Sequence, residues 1–163
     1  MKKLFLSALL LAGTCLIQAQ DMKFGLKAGV DLYTSKAKFV NPISGATQTF
    51  TASGTGFYVG GFISFPMSEK IAIQPELAYV AVENSGFLNL PILAKYELAE
   101  KIHVLAGPCV NYFLDADEDE IKLNVDLGAA YDITEKIDIN ARYSLGFGDI
   151  TFSGIFIGAN YSF

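Results

Sequence analysis

The chain has 163 residues, 52% of them hydrophobic, with a mean hydropathy of +0.36 and a formal net charge of −5. That charge balance excludes a basic surface for nucleic acid. After the leader described next, no stretch approaches the roughly 20 unbroken apolar residues of a spanning helix, although the composition is too apolar for an ordinary exported soluble domain.

The chain opens with Lys2 and Lys3 followed by an apolar run ending at Ile17, too short to cross a bilayer, and Gln18-Ala19-Gln20 supplies a small residue for cleavage. Residues 1–19 are therefore expected to be a cleaved secretory signal peptide, and residues 20–163 a single domain. A lipoprotein would need a small residue before its cysteine, whereas Thr14 precedes Cys15. Removal of the leader takes the net charge to −7, because Lys2 and Lys3 are lost, and leaves Cys109 as the only thiol. No intramolecular disulfide can then form, although the export route is oxidising.

Alternation with period two predicts strands over 22–33, 55–65, 71–82, 87–97, 102–113, 121–132, 137–147 and 154–163. These lengths suit tilted membrane strands of roughly 9–11 residues. Three of the joins repeat a heptad: Phe65-Pro-Met-Ser-Glu-Lys-Ile71, Tyr96-Glu-Leu-Ala-Glu-Lys-Ile102 and Tyr131-Asp-Ile-Thr-Glu-Lys-Ile137. An eight-stranded up-and-down barrel needs three short turns at the end where its termini lie, so these are assigned to the periplasmic rim. At the other end, Thr34 to Gly54 is predicted as a long polar loop, and the connections near Glu83–Gly86, Leu114–Glu120 and Gly148–Ser153 as short ones. Pro75 and Pro91 each remove a ladder donor inside a strand, so a local bulge or bend is expected at each.

One parity carries residues such as Phe24, Leu26, Phe57, Val59, Leu77, Leu90, Ile92, Leu123, Val125, Leu127, Ile139, Ile155 and Ile157, an apolar band for lipid. Phe65, Tyr96, Tyr131, Tyr161 and Phe163 mark one edge of that band and Tyr79, Tyr112 and Tyr143 the other, as two aromatic girdles. The opposite parity collects Lys27, Asp31, Glu76, Lys95, Lys122, Asp126, Asp138 and Arg142 with asparagines and many glycines. An eight-stranded barrel is only wide enough for its own side chains, so these charges should pair across a filled polar lumen. The fold class is thus all-β, an eight-stranded antiparallel up-and-down transmembrane barrel. Tyr161 and Phe163 end the last strand in the alternating, aromatic-terminated form expected of a signal to the barrel assembly machinery.

Phe87-Leu-Asn-Leu-Pro91-Ile-Leu-Ala-Lys95-Tyr96 resembles a signature strand of the Bacteroidetes outer-membrane β-barrel family, the PorT-like or porin-family proteins. Ala106-Gly107-Pro108 is similar to that family's fifth strand and Ala141-Arg142-Tyr143-Ser144-Leu145-Gly146 to its seventh. The resemblance spans the mature chain and implies a barrel. Its motifs are structural, and the family's members have diverse roles, one branch serving a secretion machine.

Few residues suggest chemistry. His103 is the only histidine and points into the lumen beside Glu100-Lys101, so it reads as a hydrogen-bonded rim residue, and any Ser-His hydrolase would have to use it. Asp115, Asp117 and Asp119 alternate as at the start of a calcium loop, but Glu120 stands where glycine is needed and the later bidentate glutamate is missing. They read as a solvated acidic loop, with weak divalent binding the alternative. Cys109 is a small buried filler. Neither a cofactor nor a catalytic residue is assigned.

The expected role is that of a non-enzymatic interaction barrel acting through its extracellular loops, in contact with outer-membrane lipid and lipopolysaccharide and with an envelope or extracellular protein. The alternatives are a narrow passive pore or transport or secretion accessory and, more remotely, a lipid-modifying enzyme. A soluble lipocalin-type barrel would share the strand count but turn its apolar face inward.

Overall fold

A computed structural model describes residues 22–40, 47–83, 85–114, 121–148 and 150–163. The leader 1–19 and the acidic segment 115–120 lie outside these. The described residues form eight strands: β1 (Lys23–Val40), β2 (Thr47–Pro66), β3 (Ile71–Val82), β4 (Ser85–Ala99), β5 (Ile102–Phe113), β6 (Ile121–Asp132), β7 (Ile137–Gly146) and β8 (Ile150–Ser162). Each pairs antiparallel with the next, and β1 pairs with β8 from Gly25↔Ser162 to Ala37↔Ile150, closing the barrel. Closure leaves no strand edge within the membrane, which a bilayer requires because lipid cannot satisfy backbone groups.

Side chains obey the expected parity. Along β7 exposed and buried residues alternate without a break, with Ile139, Ala141, Tyr143 and Leu145 outside and Asp138, Asn140, Arg142 and Ser144 inside. The outer wall is apolar all round, with Leu127 61% and Ile157 46% exposed, the reverse of a soluble ligand-binding barrel.

The three repeated turns are not alike. In the first and third, four residues separate the strands, and Ser68 or Thr134 places its hydroxyl under the turn: Lys136 and Ile137 donate their backbone N–H to Thr134 Oγ1 at 3.2 and 3.0 Å, and Lys70 to Ser68 Oγ at 3.4 Å. The equivalent residue of the second repeat is Ala99, which has no hydroxyl. There β4 runs on through Ala99, the register shifts between Glu97 and Ala99, and Lys101 takes a left-handed φ of 67° to close a two-residue connection.

The segment Thr34–Gly54, expected as a loop, is mostly strand. β1 and β2 stay paired from Tyr33↔Gly54 out to Val40↔Thr47, and residues 41–46 of the expected loop lie outside the described residues. Thr34 and Ser53 share a hydroxyl hydrogen bond of 3.1 Å across the pair. Above the membrane both faces of a hairpin meet water, so no apolar alternation marks it, while its threonines still favour the extended backbone.

The bulges expected at Pro75 and Pro91 are absent. Pairing stops at Phe62↔Glu76 and resumes at Phe65↔Ile73, stops at Pro75↔Ile92 and resumes at Ala78↔Asn89, and stops at Pro91↔Cys109 and resumes at Ala94↔Ala106, each time in unchanged register. Pro75, Pro91 and also Pro108 each occupy one such gap. A missing N–H removes ladder bonds locally but adds no residue, so the register continues unchanged across each gap.

Candidate functional site

The lumen has three layers, each set by which inward positions of neighbouring strands share a level. At the periplasmic mouth, Lys95 of β4 lies 3.3 Å from Asp138 and 3.8 Å from Asp132, and His103 Nε2 is 2.8 Å from Asp132 Oδ2. These line a vestibule of about 180 Å³ together with the buried Phe62 and Gln74. Hydroxyls of Ser64 and Ser162 line it too, but among the described residues none hydrogen-bonds the His103 ring. His103 is therefore held by the Asp132 carboxylate.

Midway, the buried Arg142 reaches three strands. Its Nη1 donates to Glu76 Oε2 at 2.9 Å, its Nη2 donates to Asn89 Oδ1 at 3.0 Å, and its Nε lies 3.1 Å from Asp126 Oδ2, close enough for an ion pair but poorly aligned for a hydrogen bond. Lys27 Nζ donates to Glu76 Oε2 from the opposite side, and Gln74 Nε2 donates to Glu76 Oε1 at 2.7 Å. Asn89 continues the net by donating to Asn111 Oδ1 at 2.7 Å, and Cys109 packs against both as the small buried filler expected. Arg142 also lies 4.8 Å from the centre of the Phe156 ring. Buried charges need such pairing, because the desolvation of each is offset only by partners at close range.

Of the eight lumen residues expected to form one network, four form this centre: Lys27, Glu76, Asp126 and Arg142. Lys95 and Asp138 pair separately at the periplasmic mouth. Lys122 sits at the outer end of β6, opposite Asn111. Asp31 is fully buried, yet neither of its oxygens has a hydrogen-bond partner among the described residues; it packs against Gly154 of β8. One connected network was too broad an expectation, because parity tells which face a residue occupies but not its height around a tilted, sheared barrel.

The third layer has no counterpart in the expected residues. Phe87, Phe113 and Phe152 meet with ring centroids 5.0–5.1 Å apart, Tyr33 stacks on Phe152 at 5.4 Å, and Tyr58 contacts Phe156 at 5.6 Å. With Val80 and Ala78 these close the outer half of the lumen. Tyr58 lies across Gly29 and Gly158, whose missing Cβ atoms leave the room that its hydroxyl occupies. The signal was available: Phe87 and Phe156 share the inward parity of Asn89 and Asn160, and Phe152 continues it beyond the predicted start of the last strand.

Asp115, Asp117 and Asp119 fall outside the described residues. Among the described residues no group of three or more His, Cys, Asp or Glu side chains is arranged to hold a metal ion.

The chain matches no protein-family model and no curated protein. Its fold is shared with solved structures. Neisserial surface protein A (NspA) aligns with 88% of this chain and 100% of its own at a TM-score of 0.53 and 12% identity. Ail, the attachment invasion locus protein of Yersinia pestis, aligns over the same shares at 0.53 and 15% identity. The N-terminal β-barrel domain of Pseudomonas aeruginosa OprF aligns with 84% of this chain and 97% of its own at 0.50 and 13%. Together with the apolar wall, this architecture defines a small integral outer-membrane β-barrel.

Proposed function

We propose that this chain is a closed, non-enzymatic interaction barrel of the Bacteroidetes PorT-like kind, and that its working surface is the outer edge of the β1–β2 hairpin. One observation carries this reading. β2 has 20 residues, but its pairing with β3 begins only at Phe57↔Ala81, so among the described residues no strand pairs with the outer edge of Thr47–Thr55. At about 3.3 Å per residue the open edge is roughly 30 Å long. Thr47-Gln-Thr-Phe-Thr-Ala-Ser-Gly-Thr55 contains no charge and no proline, the usual devices that stop an edge from pairing. Such an edge accepts an extended segment of another protein by main-chain hydrogen bonds.

A second copy in the same membrane does not suit that edge. β2 descends towards the periplasm in both copies, so their edges cannot run antiparallel, and strands tilted by about 35–45° would cross instead of aligning. The pore alternative is opposed by the aromatic layer and by the central ion pairs, which fill the lumen with buried side chains. Contact with outer-membrane lipid and lipopolysaccharide, and recognition of Tyr161 and Phe163 by the assembly machinery, belong to the same reading.

A photo-crosslinking residue at Thr49, in intact outer membranes, is expected to give a discrete protein adduct that is lost when Thr51→Pro is added. The same residue at Ser85, the first residue of β4, should give none. Adducts indifferent to Thr51→Pro would remove the edge from the reading, and steady ion steps in planar bilayers would replace it with a pore.

A further inference from the structure

We infer that the membrane-facing wall holds one acyl chain of a periplasmic-leaflet lipid in a groove opened by Gly61. Outward positions along β2 run Phe57, Val59, Gly61, Ile63 and Phe65, so a glycine interrupts an otherwise bulky apolar row. Crowding does not require it. A Cβ at Gly61 would meet only the Gly25 carbonyl oxygen, at 3.3 Å, whereas at Gly25, Gly29 or Gly60 it would strike neighbouring backbone.

The absent side chain leaves a groove of about 440 Å³ between Phe24, Ile63, Leu77 and Phe163. Beneath it the β2–β3 ladder is interrupted, with Pro75 in the gap, and the inward-facing Phe62 and Glu76 form part of the floor. The occupant must be apolar and must come from the bilayer, because the groove is cut into the lipid face. Phe24 is the second residue of β1 and Phe163 directly follows β8, so the groove lies at the periplasmic level. Lipid tails are as apolar as the wall, so no hydrophobic transfer favours a bound chain over a free one. Retention comes from close packing against the groove walls, which a flat stretch of barrel does not offer.

The test is native mass spectrometry of the mature barrel released from micelles containing dipalmitoylphosphatidylethanolamine. Wild type is expected to keep a single lipid. Gly61→Leu should fill the groove and lose that lipid, while Ala141→Leu, a comparable enlargement of the lipid face on β7, should keep it. Heat-modifiable migration on gels checks that each variant is folded. If Gly61→Leu does not assemble, Gly61→Ala should still weaken retention, and the wild-type barrel should give nuclear Overhauser contacts from the Gly61 and Leu77 amides to acyl methylenes. Equal retention by wild type and the filled variant, or absence of those contacts, overturns the inference. So does a dimer peak that disappears on filling, which would mean that a second copy occupies the groove.

Discussion

Arg142→Ala should be the most destabilising single change in the lumen. It removes one donor from Glu76, one from Asn89 and the only cation within ion-pair distance of Asp126 among the described residues. Glu76 keeps Lys27 and Gln74, so its loss is partial. Asp126 keeps no cation and is fully buried, and breaking one side of such a pair costs about 3–5 kcal/mol. The orphaned Asn89 oxygen adds about 1 kcal/mol, though the terms share one network and do not sum. For a domain whose whole stability is about 5–15 kcal/mol, the midpoint of a urea titration in detergent should fall sharply. Adding Asp126→Asn should recover part of the loss, because it neutralises the stranded charge. The control is Leu127→Ala, the adjacent lipid-facing position, which should cost about 1 kcal/mol or less because acyl chains fill the space. Equal midpoints for Arg142→Ala and Leu127→Ala, or no recovery in the double variant, would refute the assignment of the network.

Gly158→Ala should destabilise the barrel by about 1–3 kcal/mol, because the added methyl meets the Tyr58 hydroxyl and the Ala28 carbonyl; the same titration reads it. Thr134→Ala should cost about 1 kcal/mol by removing the acceptor for two backbone N–H groups, whereas Ala99→Ser in the differently closed second turn should give no gain. Deletion of Phe163, whose N–H donates to the Phe24 carbonyl at 2.9 Å and whose ring packs on Tyr161, should leave unassembled chain in the periplasm; normal heat-modifiable migration of the deletion variant would count against this. Replacing Lys38–Thr49 by a short turn should preserve that migration, since the removed hairpin lies beyond both the β1–β8 and the β2–β3 pairing, while the partner crosslinked from Thr49 in the intact chain should no longer copurify with the barrel.

Strand number, order and facing were legible in the sequence because a barrel wall divides lipid from a filled lumen at every residue. Alternation is then forced along each strand, and Leu123-Asn-Val-Asp-Leu127 can be read in only one orientation. The protruding hairpin escaped because Thr47–Thr55 has water on both faces, so the same physics that wrote the pattern elsewhere left none there. Equal wording also hid unequal turns: Glu-Lys-Ile recurs three times, but a hydroxyl at Ser68 and Thr134 and its absence at Ala99 decide the backbone. What only the tertiary structure decided is height around the barrel. Shear places Arg142 level with Glu76 and Asn89, leaves Asp31 outside the ion pairs, gathers Phe87, Phe113 and Phe152 into one layer, and sets Gly61 beside the gap at Pro75. Period two fixes the face of a residue and nothing about which distant strand it will meet.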